Sequence, residues 1–204
     1  MVYSVIALAA LLNLITVHRL LIVSASDFLK ALGPDQLHAQ VMLSLKAFKC
    51  GFNCTSGGGS LDALKLAGEN NLKGKIIVDL ANPLDFSKGM PPSLSVVNTN
   101  SLGEEIQKAF PNSKIVKALN TMWCGLMVNP AMINSGDHSV FISGNDAAAK
   151  EEVKEILTSF GWHEKNILDL GDITKARGTE MYLPLWLNIY GATNNGAFNI
   201  KIVS

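Results

Sequence analysis

Two short β-branched runs, each ending in small and amide residues, organise the middle of the chain. Ile76-Ile77-Val78 runs into Asp79-Leu80-Ala81-Asn82-Pro83, and Ile115-Val116 runs through Lys117 into Ala118-Leu119-Asn120-Thr121. Nearly continuous apolar runs belong to strands covered on both faces. Lys75–Leu80 and Lys114–Leu119 are therefore predicted as central strands of one mainly parallel sheet. Further strands are predicted at His138–Ser143 and Ile167–Leu170, a brief one at Leu94–Val97, and a terminal one at Ala197–Val203, where Phe198, Ile200 and Ile202 alternate. Helical patterns lie between them. Leu61, Leu64, Leu66 and Ala67 mark a short helix stopped by Gly68 and Asn70-Asn71, and Ser101–Phe110 a helix closed by Pro111. Met122–Ile133 is cut in two by Asn129-Pro130, Asp146–Phe160 is a clear helix, and Thr174–Tyr190 reads as one long helix containing Pro184. Strands alternating with helices at this spacing predict an α/β protein with at least four sheet strands from Leu61 onward.

The first sixty residues break this rhythm. Of the charged side chains, only Arg19, Asp27, Lys30, Asp35, Lys46 and Lys49 fall there, and the other 28 lie in the remaining 144 residues. The division expected is an atypical apolar segment, 1–60, followed by the α/β portion, 61–204. Met1–Val17 carries no charge, but His18-Arg19 interrupts the run before Leu20–Val23, short of the ~20 apolar residues that a spanning helix needs. No positive stretch precedes it, as a secretory signal requires. A buried helix or strand–helix element is the expectation, with Tyr3–Leu8 as a strand; a membrane association is the less favoured reading.

Formal net charge is zero and the basic residues are scattered, which leaves no electrostatic footprint for nucleic acid. Cys50 and Cys54 lack a second Cys/His pair, so no metal site is expected. With Cys124 the count is odd, which favours a reducing, cytoplasmic compartment. The four His residues form no ligand spacing.

Chemistry is expected where the two central strands end. Ligands of open α/β sheets sit outside the carboxyl ends of parallel strands, and Asn and Thr there offer donors and acceptors without charge. Ser56-Gly57-Gly58-Gly59-Ser60 is either a linker or a phosphate-cradling turn. Asp79 follows Gly57 by 22 residues, as in a dinucleotide site, but Asp62 stands at the third glycine position. Cys50–Ser56 ahead of it is a poor buried strand, so the linker reading is preferred.

D-x-x-N-P at Asp79–Pro83, K-A-x-N-T at Lys117–Thr121 and R-G-x-E at Arg177–Glu180, in this order, resemble the NADP-dependent oxidoreductases related to the deazaflavin-coenzyme:NADP oxidoreductases. The resemblance covers about residues 61–203. It implies a Rossmann-like domain that passes hydride between NADP(H) and a flavin-like or small acceptor. It further implies cofactor contacts from Ala81, Asn82 and Pro83 on one side and from Ala118, Asn120 and Thr121 on a facing wall that also includes Lys117 and Leu119, with Asn120 facing the carboxamide or the acceptor ring. Hydride transfer asks for two ring faces held together and kept dry rather than for a strong acid or base. The family's N-terminal G-x-G-x-x-G has no counterpart before Leu61, so weakened cofactor binding is expected. A non-catalytic α/β scaffold is the alternative. It would act by association, through the apolar N-terminus or the C-terminal helix, whose Met181, Leu183, Leu185, Trp186 and Ile189 suit a homodimer contact and packing on the sheet equally.

Overall fold

A computed structural model of the protein describes residues 49–203, and residues 20–23 by their backbone alone. The expectations for Met1–Val17 and Tyr3–Leu8 lie outside the described residues. Among the described residues eight strands follow in chain order: β1 (Leu20–Val23), β2 (Cys50–Asn53), β3 (Ile76–Asp79), β4 (Leu84–Asp85), β5 (Ser93–Leu94), β6 (Lys114–Ala118), β7 (Val140–Gly144) and β8 (Ile167–Asp169). Six of them form one sheet in the order β1-β2-β3-β6-β7-β8. Every pairing in it is parallel except β6 with β7. The two predicted β-branched runs are indeed interior strands, and β4 with β5 makes a separate antiparallel ribbon.

The helices are α1 (Ser60–Ala67), α2 (Glu69–Leu72), α3 (Leu102–Ala109), α4 (Cys124–Met127), α5 (Ala147–Ser159), α6 (Ala176–Met181) and α7 (Leu183–Thr193). They cover the sheet on both faces. One face carries Val78, Val116, Ala118 and Ile142 against Ala149, Val153 and Leu157 of α5, with Trp162 beside them. The other carries Ile77 and Ile115 against Leu64 of α1, Leu102 and Ile106 of α3, and Ile173 and Ala176. This is a Rossmann-like layer arrangement.

Four expectations need correction. Cys50–Asn53 is a strand buried at every residue rather than a poor one, because Asn53 finds its partner inside the protein. The long C-terminal helix is broken at Tyr182: Pro184 sits in the first turn of α7, where its missing N–H costs nothing, and it cannot extend α6. Leu94–Val97 contributes only Leu94, within β5. Ala197–Val203 is not a strand. It lies beside the start of β7, where Ser139 N–H donates to the Ile200 carbonyl at 2.8 Å. The Asn199 side chain takes the Ser139 carbonyl at 2.9 Å, where a ladder bond would otherwise form.

Candidate functional site

Because β2, β3 and β6 are parallel neighbours, the loops leaving them meet at one edge of the sheet. Asn82 and Asn120 pair there reciprocally. Asn82 Nδ2 donates to the Asn120 carbonyl at 2.8 Å, and Asn120 Nδ2 donates to Asn82 Oδ1 at 3.0 Å. Leu119 makes this possible by leaving β6 in the left-handed region, with φ 64°. That conformation is unusual for a branched side chain and is held here by burial. From β2, the glycine run forms a 3-10 turn, Gly57–Gly59, that leads directly into α1. It is a packed turn rather than a free connection. A Cβ on Gly57 would lie 2.1 Å from the Asn82 carbonyl oxygen, so only glycine lets the two backbones touch.

Charge lies beneath this floor. Lys117 Nζ meets Asp79 Oδ2 at 2.8 Å, Glu180 Oε1 at 2.8 Å and the Ala81 carbonyl, which uses all three of its hydrogens. Asp79 Oδ1 accepts from Asn53 Nδ2 at 2.8 Å and from the Ala81 N–H at 3.1 Å. The polar chain continues through Asn53 Oδ1 to Thr55 Oγ1 and on to Ser60 Oγ at the start of α1. Glu180 completes the set by accepting the first two amides of α3, Leu102 N–H at 2.8 Å and Gly103 N–H at 3.0 Å. Burial works against the Lys117 charge, but Asp79 and then Glu180 outweigh it and hold its pKa above the ordinary lysine range.

All six expected contact residues come together, but they are not equally accessible. Ala81, Pro83, Ala118, Asn120 and Thr121 are buried, and Asn82 alone of the six is half-buried. Asn120, expected to face the carboxamide or the acceptor ring, is 3 % exposed and spends its side-chain amide on Asn82. Residue patterns alone did not single out Asn53 or Thr55, and they gave Glu180 of the R-G-x-E motif and Ser60 of the glycine run no partner; a polar residue inside an otherwise apolar strand, such as Asn53, was the available signal. Partly buried Cys54, Leu80 and Trp123 follow the same three strands and pack on the same core cluster. The Cys54 thiol is pushed up to about 12, by burial first and then by the Asp79 carboxylate, so it is no nucleophile at neutral pH. A concavity of about 530 Å³ lies at the amino end of β6, lined by Gln107, Lys114 and Asp146 among others. It is far from this chemistry, and its Lys114 and Asp146 already pair at 3.1 Å. Among the described residues no group of His, Cys, Asp and Glu is placed to hold a metal, and no helix is long and apolar enough to cross a membrane.

No family model matches the chain. Solved structures do. A candidate F420-dependent NADP reductase from Arthrobacter sp. FB24 is 54% identical over 80% of this chain and 73% of its own, with a TM-score of 0.77. The chain belongs to the NADP-dependent oxidoreductases related to the deazaflavin-coenzyme:NADP oxidoreductases. The fold is shared more widely. A hypothetical protein from Sinorhizobium meliloti matches at 22% identity over 82% of this chain and 80% of its own, with a TM-score of 0.59. A Streptomyces aurantiacus imine reductase matches at 16% identity over 92% and 58%, with a TM-score of 0.50.

In this member of the NADP-dependent oxidoreductases, the three sequence motifs divide among three places. Asp79, Lys117 and Glu180 form the buried ion cluster, while Asn82 and Asn120 form the amide pair above it. Arg177 works at a third place, where its guanidinium grips both carboxylate oxygens of Glu104 at the start of α3.

Proposed function

We propose that the protein is an NADP(H)-dependent reductase whose nicotinamide site is the crevice at Asn82. The observation that carries this reading is the unspent capacity of the half-buried Asn82 side chain. A primary amide has two donor hydrogens and two acceptor lone pairs, and the pairing with Asn120 uses one of each. The remaining donor and acceptor complement a carboxamide, the substituent that a nicotinamide ring presents. Leu80, Cys54 and Trp123 supply apolar surface for the ring. Uncharged groups suit the fit, since no acid or base is required. Bound there, NADPH would supply hydride to a flavin-like or small acceptor; the name of the 54% identical relative favours a deazaflavin. The protein's own part is to orient the ring through Ala81, Asn82 and Pro83, with Ala118, Asn120 and Thr121 behind them, and to keep water from its face.

The sequence has no G-x-G-x-x-G, so the affinity we propose is reduced. Loss of two charge-assisted hydrogen bonds of ~1.5–3 kcal/mol each corresponds to roughly two to four orders of magnitude. Titration with NADPH and NADH, followed by nicotinamide fluorescence, tests the reading. Saturable NADPH binding that Asn82→Ala weakens supports it; NADPH binding indifferent to Asn82 refutes the site.

A homodimer is the assembly we propose. Only Leu183 of α7 is buried, although the helix also carries Leu185, Trp186, Leu187, Ile189 and Tyr190. Leu185 is 54 % exposed, and Trp186 stacks on Tyr190 and Phe198. An apolar helix face of this kind suits a second copy of itself. Light scattering on the intact chain and on Leu185→Lys decides the point; a monomer in both refutes it.

A further inference from the structure

Ala81 is held at both ends by one ion pair. Its N–H donates to Asp79 Oδ1 at 3.1 Å, and its carbonyl accepts from Lys117 Nζ. That carbonyl belongs to the peptide linking Ala81 to Asn82. Lys117 and Asp79 are 1% and 0% exposed, so neither reaches a ligand. A buried ion pair of this kind contributes little net stability compared with apolar groups of the same volume. Its other evident effect is geometric: with Lys117 tied to Asp79 and Glu180 as well, the peptide ahead of Asn82 has no freedom to rotate.

We infer that Lys117, oriented by Asp79 and Glu180, is a positioning residue that sets the direction of the Asn82 side chain toward the nicotinamide carboxamide. This rests on the proposed NADP(H) site. The cluster acts from below: Glu180 brings a carboxylate from α6, anchored on the α3 amides, and Lys117 relays that anchor to the floor of the crevice. The N–H of Ala81 and the amide of Asn82 therefore move with the ion cluster.

The test is a double-mutant cycle on NADPH affinity in the full chain. Lys117→Met with Asp79→Asn removes one positive and one negative charge together, so the buried net charge is unchanged and Glu180 keeps its α3 amides. Dissociation constants are measured by ligand-observed NMR titration for the unaltered chain, this pair, Asn82→Ala, and all three together, with melting temperatures alongside. The pair is expected to weaken NADPH about tenfold, equal to ~1.4 kcal/mol, and to have little further effect once Asn82 is alanine. That non-additivity is what a merely structural role would not produce. Additive effects, or unchanged affinity in the pair, would overturn the inference while leaving the NADPH site standing. Failure of the unaltered chain to bind NADPH would overturn both. If the pair does not fold, Glu180→Gln enters the same cycle. Misfolding of both variants would show that the cluster serves the fold alone, and would overturn the inference.

Discussion

Gly57→Ala tests how closely the turn after β2 rests on the crevice floor. The added Cβ would lie 2.1 Å from the Asn82 carbonyl oxygen, 2.6 Å from its carbon and 2.8 Å from the Pro83 Cα. Favourable carbon contacts lie near ~3.5–4.0 Å, so one of the two backbones must retreat by about 1 Å or more. All three atoms are backbone, and no rotamer change relieves the overlap. Overpacking of this kind costs about 1–3 kcal/mol. For a chain of this length that converts to a fall in melting temperature of roughly 2–12 °C. The displaced peptide also carries Asn82 away from its pairing with Asn120, so NADPH binding is expected to weaken. Gly58→Ala is the internal control, since nothing lies within 4 Å of its added Cβ. There the loss of chain freedom in the unfolded state predicts a neutral or slightly stabilising change, up to ~1 kcal/mol. Thermal melts and NADPH fluorescence titrations on the two variants decide the matter. If Gly57→Ala matches Gly58→Ala in both measurements, the contact between turn and floor does not exist as described.

Lys117→Met alone leaves the Asp79 and Glu180 carboxylates buried without their cation, and urea unfolding is expected to show a loss of about 3–5 kcal/mol; a loss below ~1 kcal/mol would contradict the ion cluster. The Cys50 and Cys54 thiols are pushed up to about 12, chiefly by burial, so at neutral pH a disulfide reagent should modify both far more slowly in the folded chain than in denaturant. Rapid labelling of either under native conditions would refute that burial. Glu104 sits below the ordinary glutamate range, first because Arg177 donates to it, against the opposing effect of burial, with Ser101 helping. A carboxylate whose folded pKa is depressed contributes stability that is full above its unfolded pKa and disappears as pH falls through the folded value. The destabilisation caused by Arg177→Gln should accordingly shrink as pH drops below ~4.3; a pH-independent difference would assign the effect to packing.

The central strands were legible because Ile76–Val78 and Ile115–Val116 are β-branched and unbroken, which few other structures accommodate. The meeting of Asn82 with Asn120 followed from the carboxyl-end rule once the two strands were parallel neighbours. What the sequence concealed depended on distance along the chain. Glu180 lies 77 residues from Gly103, whose amide it accepts, and no local pattern announces such a pairing. Cys50–Asn53 reads as too polar for a buried strand because the side-chain amide of its Asn donates to Asp79, a partner 26 residues away in β3. The break at Tyr182 is encoded by Pro184, which belongs in the first turn of a helix, but the apolar periodicity that runs across it masks the signal.

One row across the sheet has a consequence for how the chain finds its fold. Asn53, Asp79, Lys117 and Ser143 are Cα partners in sequence on four adjoining strands, all at 1% exposure or less. The flanking positions on these strands are apolar, among them Phe52, Val78, Val116 and Ile142. Side chains alternate faces with a period of two, so sliding any one of these strands by a single residue sends its polar member to the opposite face. Asp79 or Lys117 would then enter the layer of Val116 and Ala118 with no partner, at a cost of several kcal/mol for each stranded charge. Parallel strands pair through long connections and form slowly, which leaves time for misalignment. The ionic row acts as a key for alignment: a one-residue slip of β3 against β6 separates the charges that the native register brings together.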